Sequence, residues 1–248
     1  MLPKKKIILF SNNALTFYKF RIHLIKELVK ENFQVILIGN KENKKWSAEL
    51  ESLGIKYYSL NLERRGINLI SEIILFKKIY DFYKSLKPDI VIHFTVKPNL
   101  YGGLASRALS IPTINMITGL GSVFINKNMI VKKIVKLFYR VSLKKAKNIW
   151  FTNNADRSYF LENNLISNQI TNIISGAGVD TDHFYLSKKR RLNRNFTFLF
   201  LGRIQKEKGI FEYLEASKKL KLKYLNKFQS HIVGFLRDTY PENISIDK

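Results

Sequence analysis

Two stretches of the chain place charged and polar side chains where a strand–helix fold would present them to a ligand. In the first, Thr95, Lys97, Asn99 and Tyr101 follow the apolar run DIVIHF, beyond what would be the carboxyl end of a strand. Open α/β sheets bind their ligands at that edge. A plainer reading is equally available, in which Pro98 and Asn99 open a helix and the Asn99 side chain caps an orphan backbone donor. In the second, the string GRIQKEKG from Gly202 to Gly209 lies between an expected strand and an expected helix. That junction aims free backbone N–H groups and the positive end of the helix dipole at an anion. Arg203 has the planar fork that clamps phosphate oxygens, and Lys208 adds a point charge. As ordinary surface cations, both would simply be solvated.

Smaller features surround these. ITGLGSVF supplies Gly119 and Gly121 in a loop beyond the strand PTINMI. Glycine there allows positive φ and close backbone approach to a ligand, or merely a tight turn. The loop after the first strand carries Ser11, Asn12 and Asn13; short amides tolerate left-handed backbone and donate hydrogen bonds to a sugar or phosphate. His93 lies at the end of the strand in DIVIHF, a place where a lone histidine is commonly packed. His23, His183 and His231 are scattered without ligand spacing. The chain has no cysteine, which excludes disulfides, thiolate metal sites and cysteine nucleophiles.

The elements that must carry these residues alternate in type. KIILFS, QVILIG, IKYYSL, DIVIHF, PTINMI and NIWFT are short β-branched or apolar runs separated by stretches of helical period. That is the pattern of βαβ units in a doubly wound parallel sheet, and near-continuous apolar character suits strands covered on both faces. Ile22, Ile25, Leu28 and Val29 mark one core-facing helical stripe, and Ile73, Phe76, Tyr80 and Tyr83 another. From Asn128 to Lys147 a helix with the stripe Val131, Ile134, Phe138 and Val141 carries Lys132, Lys133, Lys136, Arg140, Lys144 and Lys145. It either covers the sheet with its charges in water or lies on an anionic bilayer surface. The segment LSKKRRLNRN, 186–195, lacks apolar period and is expected to be a linker after a domain spanning 1–185. Beyond it FTFLFLG, a helix over about 207–222 and SHIVGF restart the alternation in 196–248, which is expected to stop short of a second complete sheet.

The 43 Lys and Arg against 19 Asp and Glu give a formal charge of +24. Such a charge concentrates anionic partners, whether nucleic acid, anionic lipid or phosphorylated substrate. Charge alone suggests the first, and no aromatic-basic binding motif supports it, so no nucleic-acid partner is expected. The hydrophobic share of 46% is enough for a packed core. No run approaches the roughly 20 apolar residues of a spanning helix, and the apolar part of MLPKKKIILF is too short for a signal peptide. A membrane role is therefore expected to be peripheral.

TVKPNLYGGLASR followed by INMITGLGSVF closely resembles bacterial family-four glycosyltransferases, which build capsular, O-antigen and lipid-linked glycans. Phe20–Arg21, GAGVDTDHF from Gly176 and LFLGRIQKEKGIFEYLEA from Leu199 match in the same order, so the resemblance covers nearly the whole chain. It implies a GT-B fold, with one Rossmann-like domain followed by an incomplete second one. It implies transfer of a sugar, with retained configuration, from a nucleotide-sugar of the UDP type to a polyprenyl-diphosphate-linked sugar or polysaccharide acceptor. No metal or other cofactor takes part, and the implied location is the cytoplasmic face of the plasma membrane. On the same resemblance Arg203 and Lys208, with Gly202 and Gly209, hold the donor's diphosphate. Ser11, Asn12, Arg21, Thr95, Lys97, Asn99, Tyr101, Gly119 and Gly121 bind substrate, and His93 is the candidate catalytic histidine touching the donor sugar. Glu207 and Glu215 reproduce the spacing of the family's E-x7-E signature in the wrong surroundings, and the genuine element is expected to be absent. Without it, the chain alone is expected to be inactive. The competing classes are a non-catalytic subunit or remnant acting as a binding module, and a nucleotide-sugar epimerase, against which KPNLYG and TGLG argue.

Overall fold

The computed structural model describes residues 3–40, 44–62, 69–121, 124, 129–186 and 196–235. Two compact units, Met1–Asp180 and Thr181–Lys248, divide the chain. Residues 187–195 of the expected linker, and the Asn128 start expected for the basic helix, lie outside the described residues.

In the first unit, β1 (Lys6–Asn13), β2 (Gln34–Asn40), β3 (Lys56–Ser59), β4 (Ile90–Phe94), β5 (Thr113–Ile117), β6 (Asn148–Phe151) and β7 (Ile170–Ile173) form one sheet in the order β3-β2-β1-β4-β5-β6-β7. Every pairing is parallel. The expected doubly wound sheet is therefore present. The chain builds outward from β1 to β3, then returns to pair β4 with the free side of β1. The carboxyl ends of these two strands flank the point where the winding reverses, where such sheets hold ligands.

Alternate strand residues feed separate cores. Ile7, Leu9 and Ile92 pack with Phe17 and Ile25 of α1 (Ala14–Lys30) and Leu50 of α2 (Lys44–Ser52). Ile8, Phe10 and Val91 pack with Leu75, Ile79 and Tyr83 of α3 (Leu69–Leu86) and Ala105 of α4 (Gly103–Ala108). A third core joins Ile149 and Phe151 to Val135 and Tyr139 of α5 (Met129–Leu143) and Phe160 of α6 (Asn154–Glu162). Asn13 and Asn153 start α1 and α6 abruptly, their side chains accepting from the backbone N–H three residues on.

The expected helical stripes pack against the cores through Ile22, Ile25 and Leu28, through Phe76, Tyr80 and Tyr83, and through Val131 and Phe138, while one residue of each turns outward and the most buried positions lie beside them. The buried face of α1 is Ala14, Phe17, Arg21 and Ile25, and Val29 is 45% exposed. In α3 the buried residues are Glu72, Leu75, Ile79 and Tyr83, whereas Ile73 is 59% exposed. In α5 they are Val135, Tyr139, Ser142 and Leu143, and Ile134 turns outward. Each helix carries more apolar residues than one face can bury, so period alone leaves open which are buried most. The four-residue edge strand β7, with Ile170 and Ile173 exposed, gave no recognisable run of its own.

The second unit is a single βαβ turn. β8 (Phe196–Leu201) pairs in parallel with β9 (Phe228–Val233), joined by a 3-10 turn at Lys206–Lys208 and helix α7 (Ile210–Tyr224). Among its described residues, Ile210 alone is buried.

Candidate functional site

Registration of Phe10 with His93 brings the carboxyl ends of β1 and β4 side by side; Ser11, Asn12 and Asn13, expected in a loop, are the last residues of β1. The Thr95 hydroxyl donates to Asn12 Oδ1 at 2.8 Å, bridging the two strand ends where the winding reverses. Thr95 has φ +71°, a left-handed backbone that β-branched residues avoid and that concentrates at functional sites. Asn99 holds it there: its amide nitrogen donates to the carbonyls of Thr95 at 2.7 Å and Met116 at 2.9 Å, tying the end of β4 to the end of β5. Asn99 is thus an interior brace, 1% exposed, and neither a helix cap nor a group facing a ligand. The residues around it, Pro98–Gly102, form a π-helical turn.

Behind Asn99 a buried polar chain has one consistent set of proton positions. Two carbonyls fix the Asn99 amide nitrogen, so its oxygen faces Asn115 and accepts from Asn115 Nδ2 at 3.0 Å. Asn115 Nδ2 also faces His93 Nδ1 at 3.2 Å, while Asn115 Oδ1 accepts from the Thr113 hydroxyl at 2.9 Å. His93 Nδ1 is therefore the acceptor, and the neutral ring carries its proton on Nε2, which donates to Tyr83 Oη at 3.0 Å. Burial lowers the His93 pKa to about 3. With 0% exposure and both nitrogens engaged, His93 does not touch a substrate in this arrangement. The π-turn encloses the ring of this expected catalytic histidine: a Cβ on Gly102 would collide with His93 Nε2.

Ser11 is likewise turned inward, sharing a 2.8 Å hydrogen bond with the Thr16 hydroxyl. Asn12 and Thr95 stay partly accessible. Arg21, from the exposed–buried pair Phe20–Arg21, stacks on the Phe94 ring with its guanidinium carbon 4.0 Å from the centroid. One nitrogen donates to Thr16 O at 3.0 Å. Among the described residues no carboxylate pairs with Arg21. Burial lowers its pKa to about 10, which leaves it charged at neutral pH. The guanidinium is largely buried, yet none of its nitrogens is both fully buried and unpaired, so it keeps donors open to solvent, an arrangement suited to an anion.

Lys97 and Tyr101 meet at a residue that sequence inspection did not single out. Lys97 Nζ lies 2.5 Å from Glu72 Oε1 in the first turn of α3. The Tyr101 phenol lies beside the same carboxylate; burial first, then Glu72, push its pKa well above the ordinary range. No motif marks Glu72, since the acidic residue sits in an otherwise apolar helix start. In the loop after β5, Gly119 and Gly121 have φ of +136° and +77°, and a Cβ on Gly121 would press on Val96 at 2.9 Å. Gly121 is therefore required for the loop to lie against the end of β4, whereas Gly119 is favoured by its φ alone. An open depression of about 410 Å³ lined by Lys84, Lys87, Asp89 and Ser110, among others, lies at the opposite, amino-terminal edge of the strands.

In the second unit, Arg203 and Lys208 are exposed in the turn between β8 and α7. Gly209, at φ +77°, closes the 3-10 turn and opens α7. Gly202 continues β8, donating to Val233 O, and its carbonyl closely abuts Gly234. Glu215 pairs with Lys219 along α7.

The glycosyl transferase 4-like family model matches residues 6–153, which include the strand ends, Arg21, Glu72 and the whole buried network. The chain belongs to the glycosyl transferase 4-like family. Within that family it is similar to the N,N'-diacetylbacillosaminyl-diphospho-undecaprenol alpha-1,3-N-acetylgalactosaminyltransferase of Campylobacter jejuni, 24% identical over 257 residues. That match covers 98% of this chain and 66% of the relative. A glycosyltransferase structure from Rickettsia africae superposes with a TM-score of 0.69 at 21% identity, over 94% of this chain and 61% of that one. HepE of Anabaena, solved in complex with UDP and glucose, gives 0.60 at 14% identity, over 94% and 70%. The glycosyl transferase 4-like chain thus spans about two thirds of the length of these relatives, and its α/β architecture is that of GT-B. UDP-N-acetylglucosamine 2-epimerase shares the fold, so family membership and not architecture separates the two.

Proposed function

We propose that this chain serves glycosyl transfer to a lipid-linked acceptor, with the Met1–Asp180 unit holding a polyprenyl-diphosphate-linked sugar and the β8–α7 turn holding the diphosphate of a UDP-sugar. The observation that carries this is Arg21, a buried guanidinium beside the Asn12–Thr95 bridge with no carboxylate partner among the described residues. A diphosphate supplies the missing counter-charge and the acceptor oxygens. The Campylobacter relative's diphospho-undecaprenol acceptor and the UDP in the Anabaena structure support the two substrate classes. Aligning two substrates and stabilising the departing diphosphate is the main catalytic task of such a site. Retained configuration, independence from metal, and a place at the inner face of the plasma membrane in surface-glycan synthesis belong to the same proposal, on family resemblance.

Equilibrium binding tests the acceptor half. Farnesyl diphosphate carrying an N-acetylhexosamine is expected to bind the chain, and Arg21→Met to weaken it roughly tenfold to a hundredfold, as loss of a charge-assisted hydrogen bond would. Equal binding by the variant would move the anion site elsewhere. Conversion of UDP-N-acetylglucosamine to its 2-epimer without any lipid would place the chain with the epimerases instead.

A further inference from the structure

The helices over one face of the first unit's sheet expose apolar residues in clusters. At the start of α3, Ile70, Ile73 and Ile74 are 69%, 59% and 49% exposed, at the i, i+3, i+4 spacing that sets them on one outward stripe. In α5 the outward stripe is Ile130, Ile134 and Leu137. Single exposed apolar residues are ordinary, and on the opposite side of the sheet Phe20, Val29 and Leu53 are scattered in that way among the described residues. Clusters on two helices of one layer mark a contact surface.

The Pro98–Gly102 turn and α4 lie between α3 and α5 and fit closely against both. A Cβ on Gly102 would fall 3.0 Å from Tyr83 Oη of α3, and one on Gly103 would fall 2.9 Å from Ser142 of α5. Packed helix axes are about 8 to 10 Å apart, which separates α3 from α5 by roughly 20 Å. Each helix returns from the carboxyl to the amino edge of the parallel sheet, so both apolar amino ends lie at the carboxyl edge. The Glu72–Lys97 ion pair fixes this for α3, joining its first turn to the loop after β4. The two clusters therefore flank the strand ends that carry the Asn12–Thr95 bridge.

Charge selects the partner. Lys77 and Lys78 follow the isoleucines on the exposed side of α3, and Lys133 stands within the α5 stripe. The α5 sequence contains no acidic residue, and in α3 Glu72 is buried against Lys97, which leaves Asp81 as the exposed carboxylate of that helix. Apolar side chains set among lysines match the boundary between anionic headgroups and acyl chains. A second copy of the same layer would bring lysine against lysine.

We infer that this layer docks on an anionic bilayer through two footings, the amino ends of α3 and α5, which hold the carboxyl edge of the sheet at headgroup level. The inference rests on the lipid-linked acceptor and membrane location proposed above and adds an orientation to them. One amphipathic helix leaves a protein free to roll about its axis, whereas two footings roughly 20 Å apart do not. A diphosphate whose prenyl chain stays in the bilayer then meets the Asn12–Thr95 edge without leaving the headgroup region.

The chain has no cysteine, so a single introduced cysteine reports one position. Ile73→Cys, Ile134→Cys and Val29→Cys, each carrying a nitrobenzoxadiazole label, are mixed with vesicles of phosphatidylglycerol and phosphatidylcholine that contain nitroxide-labelled lipid. The labels at 73 and 134 are expected to be quenched and the label at 29 to keep its emission. The double variant Ile73→Glu, Ile74→Glu is expected to bind these vesicles about tenfold more weakly than wild type, with an unchanged melting temperature because both side chains are exposed. Quenching at only one of positions 73 and 134, or equal quenching at 29, overturns the two-footed orientation. Dimers in sedimentation, with concentration-dependent emission at 73 in the absence of lipid, give the layer to a second copy and also overturn it. A wild type that binds no vesicle overturns the membrane location as well, while the diphosphate site is judged separately by the soluble farnesyl diphosphate probe.

Discussion

Burial lowers the His93 pKa from 6.5 to about 3, so the folded chain keeps neutral a ring that the unfolded chain protonates. Between these values the unfolded state binds one more proton, and stability falls with falling pH by about 1.4 kcal/mol per unit. The contribution is complete above pH 6.5 and lost progressively toward pH 3. Urea unfolding at pH 7, 6 and 5 is expected to show this slope reduced by one proton in His93→Gln; identical slopes would mean that the ring is not buried neutral. The same residue shows what the sequence reveals at this level and what it hides. Its place at the end of a strand is legible, but its role depends on Tyr83 ten residues earlier and Asn115 on the next strand, two partners that only the sheet brings together. Thr95, Lys97, Asn99 and Tyr101 are correctly placed at the carboxyl edge by pattern, yet they divide into a bridge to Asn12, an ion pair, a brace and a neighbour of Glu72. Arg203 and Lys208, both exposed, keep the arrangement that the GRIQKEKG string suggests. Arg203→Ala and Lys208→Ala are each expected to weaken UDP binding roughly tenfold to a hundredfold, measured by calorimetry, and unchanged affinity in both would remove the donor diphosphate from this turn.

The π-helical turn Pro98–Gly102 positions more of the site than any regular helix, and its closeness to β4 depends on a missing side chain. A Cβ on Gly102 would sit 2.4 Å from His93 Nε2 and 3.0 Å from Tyr83 Oη, both buried and hydrogen-bonded to each other, so neither can step aside. Gly102→Ala is therefore expected to destabilise by about 3 kcal/mol or more, the upper range for overpacking. Gly119→Ala, with nothing within 4 Å, should suffer only from its positive φ, by about 1 kcal/mol. Chemical denaturation of the pair checks this, and equal losses would place the turn farther from His93. The parallel strands were legible because double burial leaves an unbroken apolar run, as in β1 and β2. Helix existence was legible for the same reason of pattern, and most of each stripe with it. In α5 the expected Val131 and Phe138 pack against the core, but Ile134 turns outward and Val135, Tyr139 and Leu143 are the residues buried by contact with β6 and α6.

A net charge of +24 leaves the molecule strongly attractive to anionic surfaces, and the outward phase of α5 gives that attraction an apolar footing. Met129, Ile130, Ile134 and Leu137 are 62%, 70%, 48% and 54% exposed, and Lys133 lies on the same stripe. No described helix is long and apolar enough to cross a membrane; lying in the headgroup region is the mode of membrane contact open to an exposed basic amphipathic helix. The six basic residues of this segment are not equivalent. Lys136 donates to Asn163 Oδ1 at 2.6 Å, and Arg140 donates to the carbonyls of Asn163 and Asn164 at 3.0 Å, so both complement the carboxyl end of α6. Lys132, Lys133, Lys144 and Lys145 remain for headgroups. Each lysine near an anionic surface is worth about 1 kcal/mol, so replacing all four by Gln is expected to weaken binding by up to roughly a thousandfold. Replacing Lys136 and Arg140 by Gln should instead lower thermal stability and leave most of the affinity. Ile134→Glu should weaken binding even at high salt, because shallow apolar insertion is not screened as the charges are within a Debye length of about 8 to 10 Å. Co-sedimentation with vesicles of neutral or anionic lipid, at low and high salt, distinguishes these outcomes. If the quadruple variant pelleted like wild type, α5 would be sheet cover alone and the charge would act elsewhere on the surface; if the Lys136 and Arg140 variant lost binding equally, the division of the six basic residues would be overturned.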